Sequence, residues 1–221
     1  MDIRFTRVAK AATLLLCCVV CFPVDAKPIA FANGTTVMGE YGAGTMTEAQ
    51  LFYAPSFRYS VGGGHLSLNS SENDNTRDIT YARLNYLPKR WNMEAAQANI
   101  FIWGSLGRAH IGETGDNKFA WNAGGQFDYE TRRVYASLRS DLHESQAYSH
   151  RIDTLQLGLA PYEHDYATLA VWFVVQARQY TGALYEGTEC AALVRLFKRN
   201  AWLEAGVTQD GHLQAMLMFN F

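Results

Sequence analysis

Apolar and polar residues trade places at every second position through segment after segment of this chain, a repeat that a strand can use and a helix cannot. Twelve segments carry it: 36–43, 47–54, 57–68, 78–87, 97–107, 118–129, 132–141, 152–160, 165–178, 188–197, 201–208 and 213–221. The best helical window, Trp91–Ala98, is short and serves equally well as a turn into a strand. The strands are two-faced. In 132–141, Arg133, Tyr135, Ser137, Arg139 and Asp141 oppose Val134, Ala136 and Leu138. In 152–160, Thr154, Gln156 and Gly158 oppose Leu155, Leu157 and Leu159. In 118–129, Asn122, Gly124, Gln126 and Asp128 oppose Phe119, Trp121, Ala123, Phe127 and Tyr129. In 97–107, Gln97, Asn99 and Ser105 oppose Ala98, Ile100, Ile102 and Leu106. Strands of this kind suit either a barrel with a wet lumen or a sandwich with a wet outside.

The connections separate those two folds. Asn69–Arg77, Arg108–Asn117, Leu142–Arg151 and Gln179–Gly187 are long and polar; Pro55-Ser56, Glu130-Thr131, Pro161–His164 and Lys198–Asn200 are tight. They alternate nearly in step, with Pro88–Ala96 longer than its class and Gln209-Asp210-Gly211 shorter. A membrane barrel has short turns at one end and long loops at the other; a soluble sandwich has no reason for it. Aromatics crowd the short-turn end: Phe52, Tyr53, Phe57, Tyr59, Tyr86, Trp91, Phe127, Tyr129, Tyr162, Tyr166, Phe197, Trp202, Phe219 and Phe221. Phe119, Trp121, Tyr180 and Tyr185 are candidates for a second girdle at the other end. The expectation is an all-β, closed, antiparallel up-and-down transmembrane barrel of twelve strands, with ten as the alternative count.

In the last strand Leu213, Ala215, Leu217, Phe219 and Phe221 share a face, against Gln214, Met216, Met218 and Asn220. This ending resembles the closing strand of Gram-negative outer-membrane β-barrels, which typically finish in an aromatic read by the assembly machinery. Met216 stands near where that motif often has Gly. The resemblance implies an outer-membrane location, lipid and lipopolysaccharide as surroundings, the barrel-assembly machinery as a partner, and Phe219 and Phe221 as the assembly signal. At the other end Arg4, Arg7 and Lys10 precede an apolar run from Ala11 to Val20 and then Val24-Asp25-Ala26. That is a secretory signal expected to be cut after Ala26, with 27–221 as the barrel domain. Cys17, Cys18 and Cys21 leave with it, and Cys190 stays alone, a small apolar filler with no disulfide partner. The mature chain keeps 16 basic and 19 acidic side chains, a net charge near −3 with no surplus for nucleic acid.

On this register the lumen receives Glu40, Glu48, Arg58, Arg83, Asp128, Arg133, Arg139, Asp141, Arg178, Glu189, Arg195 and Glu204. Interleaved signs either pair into a plug or, around water, set a transverse field that selects solutes. The leading expectation is a narrow channel for small polar or ionic solutes. The alternatives are a non-transporting structural or interaction barrel, and an outer-membrane hydrolase acting on lipid or peptide. For the last, His143 with Asp141 and Glu144 is the one acid–base grouping, and no Gly-x-Ser-x-Gly elbow accompanies Ser137 or Ser140. No catalytic residue, metal site or cofactor is expected. Gly62-Gly63-Gly64 lacks the Lys-Ser/Thr of a phosphate loop and is read, with Gly124-Gly125, as a bulge or bend. Pro55 is expected between strands and Pro88 at the end of one. Lys89-Arg90, Arg132-Arg133 and Lys198-Arg199 fall at inner turns, while Glu72, Asp74, Asp78, Glu113, Asp116, Glu144 and Glu186 fall outside.

Overall fold

A computed structural model describes residues 32–69, 76–112, 114–164, 167–182 and 184–221. The signal at 1–26 lies outside the described residues, as do Glu72, Asp74, Glu113 and Tyr166. Twelve strands run in chain order: β1 Gly34–Gly42, β2 Met46–Ser56, β3 Tyr59–Asn69, β4 Thr76–Asn92, β5 Ala96–Ile111 and β6 Asp116–Thr131. They continue with β7 Val134–Ser145, β8 Ser149–Leu159, β9 Ala170–Gly182, β10 Gly187–Lys198, β11 Ala201–Thr208 and β12 Leu213–Asn220. Each pairs antiparallel with its chain neighbours, and β1 pairs with β12, so the sheet closes into a barrel. The last residue is pinned in both directions: Thr35 N donates to Phe221 O at 2.6 Å and Phe221 N to Thr35 O at 2.9 Å. Closure matters because an unpaired edge in hydrocarbon leaves each backbone group without a partner.

Alternation sorts the side chains. Leu51, Leu84, Ile102, Leu106, Leu138, Leu157, Phe173, Val175 and Leu217 stand exposed on the outside. Gln50, Asn85, Asn99, Ser105, Asn122, Thr154, Gln176 and Gln214 are buried inside. A greasy exterior around a polar interior is the inverse of a soluble protein and defines a membrane-spanning barrel. Among the exposed aromatics, Tyr53, Phe57, Tyr59, Tyr86, Trp91, Phe127, Tyr162 and Phe221 lie at the short-turn end, with Phe119 and Trp121 toward the other. Phe52, Phe197, Trp202 and Tyr180 turn inward and do not belong to a girdle.

Several local expectations are corrected. Much of three of the long polar connections is strand: β5 runs on to Ile111, β6 begins at Asp116, β7 reaches Ser145 and β9 reaches Gly182. There the outward positions Arg108, His110 and Arg151 are polar while Ala109, Ile111 and Ile152 face inward and are buried, so the period of two persists with its faces exchanged. Conversely, the tight joint expected at Pro161–His164 is the start of a connection from Leu159 to Ala170. Pro55 and Pro88 lie within β2 and β4, each where the register shifts, between Tyr53 and Ser56 and between Tyr86 and Lys89. A bulge is the place in a sheet that excuses a missing N–H.

Gly62-Gly63-Gly64 and Gly124-Gly125 pair without any shift and are not bulges. They make room. A Cβ on Gly64 would lie 2.6 Å from the Tyr81 hydroxyl, and one on Gly124 2.4 Å from Trp103 Nε1. Each ring folds flat over the neighbouring strand's glycine. Gly107 is similarly closed in, its Cβ position 2.3 Å from Thr80 O, whereas at Gly104 the nearest atom is 3.9 Å away. Gly107→Ala is therefore expected to cost about 1–3 kcal/mol. Gly104→Ala should stay within about 0.5 kcal/mol of the parent, both read from urea unfolding midpoints in lipid vesicles.

Candidate functional site

Ten of the twelve charged candidates project into the barrel: Glu40, Glu48, Arg83, Asp128, Arg139, Asp141, Arg178, Glu189, Arg195 and Glu204. Arg58 and Arg133 do not. Arg58 is in the β2–β3 turn, exposed and lying over the Phe57 ring, and Arg133 is exposed in the β6–β7 turn. There Arg133 Nε donates to Ala160 O at 3.3 Å and Nη2 to Pro161 O at 3.3 Å. In both cases the strand begins one residue later, at Tyr59 and at Val134, so the period of two does not govern the arginine.

Each of the four inward arginines named above meets a carboxylate. Arg195 Nε donates to Glu204 at 2.6 Å and Arg139 Nε to Asp141 at 2.5 Å. Arg83 lies 3.6 Å from Glu48, and Arg178 pairs with Glu40. Register explains the last two. Glu40 and Glu48 face each other directly across β1–β2, a like-charge pair that is destabilising by itself. Guanidinium groups from β9 and β4 arrive from either side and neutralise one carboxylate each.

Aromatic rings complete three of these pairs. Arg83 stacks on Tyr81, whose hydroxyl donates to the same Glu48 that Arg83 faces. Arg139 stacks on Trp103, whose Nε1–H donates to Asp141 at 2.8 Å. Arg195 sits 4.4 Å from the ring centroids of both Tyr135 and Trp202. The two bare glycines, Gly64 and Gly124, let the Tyr81 and Trp103 rings reach across to those carboxylates.

Amides tie the remainder across a narrow bore. Arg195 Nη2 donates to Gln156 at 2.8 Å, Gln156 Nε2 to Glu204 at 3.2 Å, and Gln176 Nε2 to Gln214 at 2.7 Å. Gln214 in turn donates to Glu189, and Asn99 Nδ2 donates to Asp128 at 2.6 Å. The space left over is a cavity of about 140 Å³, lined by Arg83, Arg139, Arg178, Arg195, Glu40 and Glu204 among others. Arg83 Nε is buried with no hydrogen-bond partner among the described residues.

Toward the long-loop end the lining turns apolar. Met46, Leu66, Leu68, Ile79, Ile152 and Tyr180 form one cluster with Tyr148 and Leu184, which fold inward from the β7–β8 and β9–β10 connections. Burial there pushes the Tyr148 hydroxyl above its ordinary value.

His143 is on β7 rather than in a loop. It faces Asn122 at 3.5 Å and pairs across the ladder with His150, which stacks on Tyr180. Glu144 accepts from Ser149 at 2.6 Å, away from that pair. Among the described residues no group of three His, Cys, Asp or Glu is placed to hold a metal ion. Cys190 is on the outside of the wall, not a filler of the core. The signal that could have found Tyr81 and Trp103 is parity: Tyr81 alternates in step with Arg83, and Trp103 with Asn99 and Ser105. Their pairing across the bore depends on strand stagger, which the sequence does not display.

No protein-family model and no curated protein sequence matches this chain. Among solved structures it is similar to a KdgM porin in complex with disordered oligogalacturonate, at 8% identity and a TM-score of 0.49. A second KdgM porin structure gives 10% identity and a TM-score of 0.47. In both cases 85% of this chain and 98% of the other are covered.

Because Glu204 and Arg195 are both buried, removing one alone strands the other. Arg195→Ala is expected to cost roughly 3 kcal/mol or more, whereas Arg195→Met with Glu204→Leu should be close to neutral. Unfolding midpoints of the single and double variants check this.

Proposed function

We propose that this protein is a narrow channel of the outer membrane, passing small polar or ionic solutes. The observation that carries the reading is the chemistry of the central cavity. A barrel meant only to be solid has no need of four guanidinium groups and facing carboxylates around its open space. Desolvating each charge is costly, and a wet path lowers that cost. The space is small, and side chains three and four strands apart round the wall meet within the bore, Gln176 with Gln214 and Arg178 with Glu40, so the solutes are small as well. The outer-membrane setting is supported by the apolar belt, the exposed aromatics and the even strand number. In that setting lipid and lipopolysaccharide surround the wall, and Phe219 and Phe221 on the outward face of the closing strand are the assembly signal.

A second reading, a structural or interaction barrel without transport, is favoured by the apolar cluster at the long-loop end, which stands over the charged belt. Planar-bilayer recording of the refolded protein decides between them: discrete conductance steps are expected, and an intact barrel that carries no current selects the second reading. Arg139→Glu together with Arg178→Glu should move the reversal potential toward cation selectivity in a salt gradient, since each replaces a positive wall charge by a negative one. Unchanged selectivity would remove these residues from the conduction path.

A further inference from the structure

On the outside of the barrel the wall is not evenly padded. One lateral row runs Leu159, Phe173, Val194, Ala205, Ala215 across β8 to β12, and the next runs Leu157, Val175, Ala192, Val207. Where Ala192 and Ala205 replace the larger side chains of their neighbours the surface drops. The result is an apolar furrow of about 470 Å³ between the Leu157–Phe173 ridge and β11. That volume is in the range of small-molecule sites, roughly 300–1,000 Å³.

The furrow has a charged foot. From Val194 the strand β10 runs four residues, roughly 13 Å, to the turn at Lys198-Arg199. Both basic side chains are exposed, and neither has a carboxylate partner among the described residues. The neighbouring Arg132 is different, since it is met by Glu163 at 3.7 Å. An apolar trough with two unopposed cations below it, one row of apolar side chains (Val171, Leu196, Leu203) away and at the depth where headgroups sit, matches one kind of molecule. We infer that the β8–β11 face binds a phospholipid with an anionic headgroup, its acyl chain in the furrow and its phosphate at Lys198 and Arg199. The site rests on the reading that the barrel spans a bilayer, and it is independent of whether the lumen conducts.

Native mass spectrometry of the full chain, refolded in detergent micelles doped with equal amounts of phosphatidylglycerol and phosphatidylcholine, tests it. Phosphatidylglycerol adducts are expected to predominate. Lys198→Ser with Arg199→Ser should lower that preference by about thirtyfold, the expectation for two basic side chains at an anionic interface. Ala192→Leu with Ala205→Leu should reduce retention of both lipids, with heat-modifiable gel mobility confirming that each variant is folded. Equal adducts of the two lipids, or a preference unchanged in the serine variant, would overturn the site. So would a dimer that forms in place of lipid adducts and is lost in the leucine variant, which would assign the furrow to a second copy. A chain that folds and stays in buffer without detergent would overturn the membrane reading along with it.

Discussion

Everything in this molecule depends on the backbone ladder meeting itself. Hydrocarbon offers no partner to an N–H or C=O, so a sheet can stand in it only when its first strand finds its last. The β1–β12 pairing, running from Thr36 with Asn220 to Gly42 with Gln214, supplies that. Once the ring is closed, side-chain parity alone decides which residue meets lipid and which meets water. No separate core is needed to hold the sheet flat against something else.

The interior then faces an electrostatic problem that closure creates. Two glutamates brought opposite each other across β1–β2 must be compensated from elsewhere, and the bore is narrow enough for arginines on other strands to do it. Arginine suits the task because its planar fork can pair with a carboxylate while its face stacks on a ring. Tyr81 and Trp103 provide such rings and donate to the same carboxylates, so acid, base and aromatic hold one another in place. Glycines on the intervening strands are the steric condition for this. Their absence of side chain, more than any conformational freedom, is what the arrangement uses.

Strand existence and facing were legible in the sequence because each strand has lipid on one side and water on the other, and that contrast writes a period of two. The legibility failed where the contrast changes. Toward the long-loop end the contrast inverts, with Ala109, Ile111 and Ile152 buried inside and Arg108, His110 and Arg151 exposed outside, so the polar stretches 108–111 and 142–145 look like loop although they continue β5 and β7. At turns the rule ends, and Arg58 and Arg133 carry the parity of lumen residues without facing the lumen. The charged wall itself could be listed residue by residue. The partnerships within it could not, since Arg178 and Glu40 are 138 positions apart and are joined only by the curvature of the closed wall.

The strands are unequal in a way that bears on the membrane rather than on the lumen. β4 spans 17 residues, whereas β11 and β12 span 8 each. At about 3.3 Å per residue, 8 residues reach roughly 26 Å before tilt, and about 20 Å along the normal once tilted by some 40°. That is shorter than the apolar band of roughly 25 Å that such barrels present. Lipid beside the seam where the chain's two ends join must therefore pinch, while on the far side it meets a wall tall enough to stand clear of it. The protein thus sits in its bilayer as a wedge would, with the thin edge at its own point of closure.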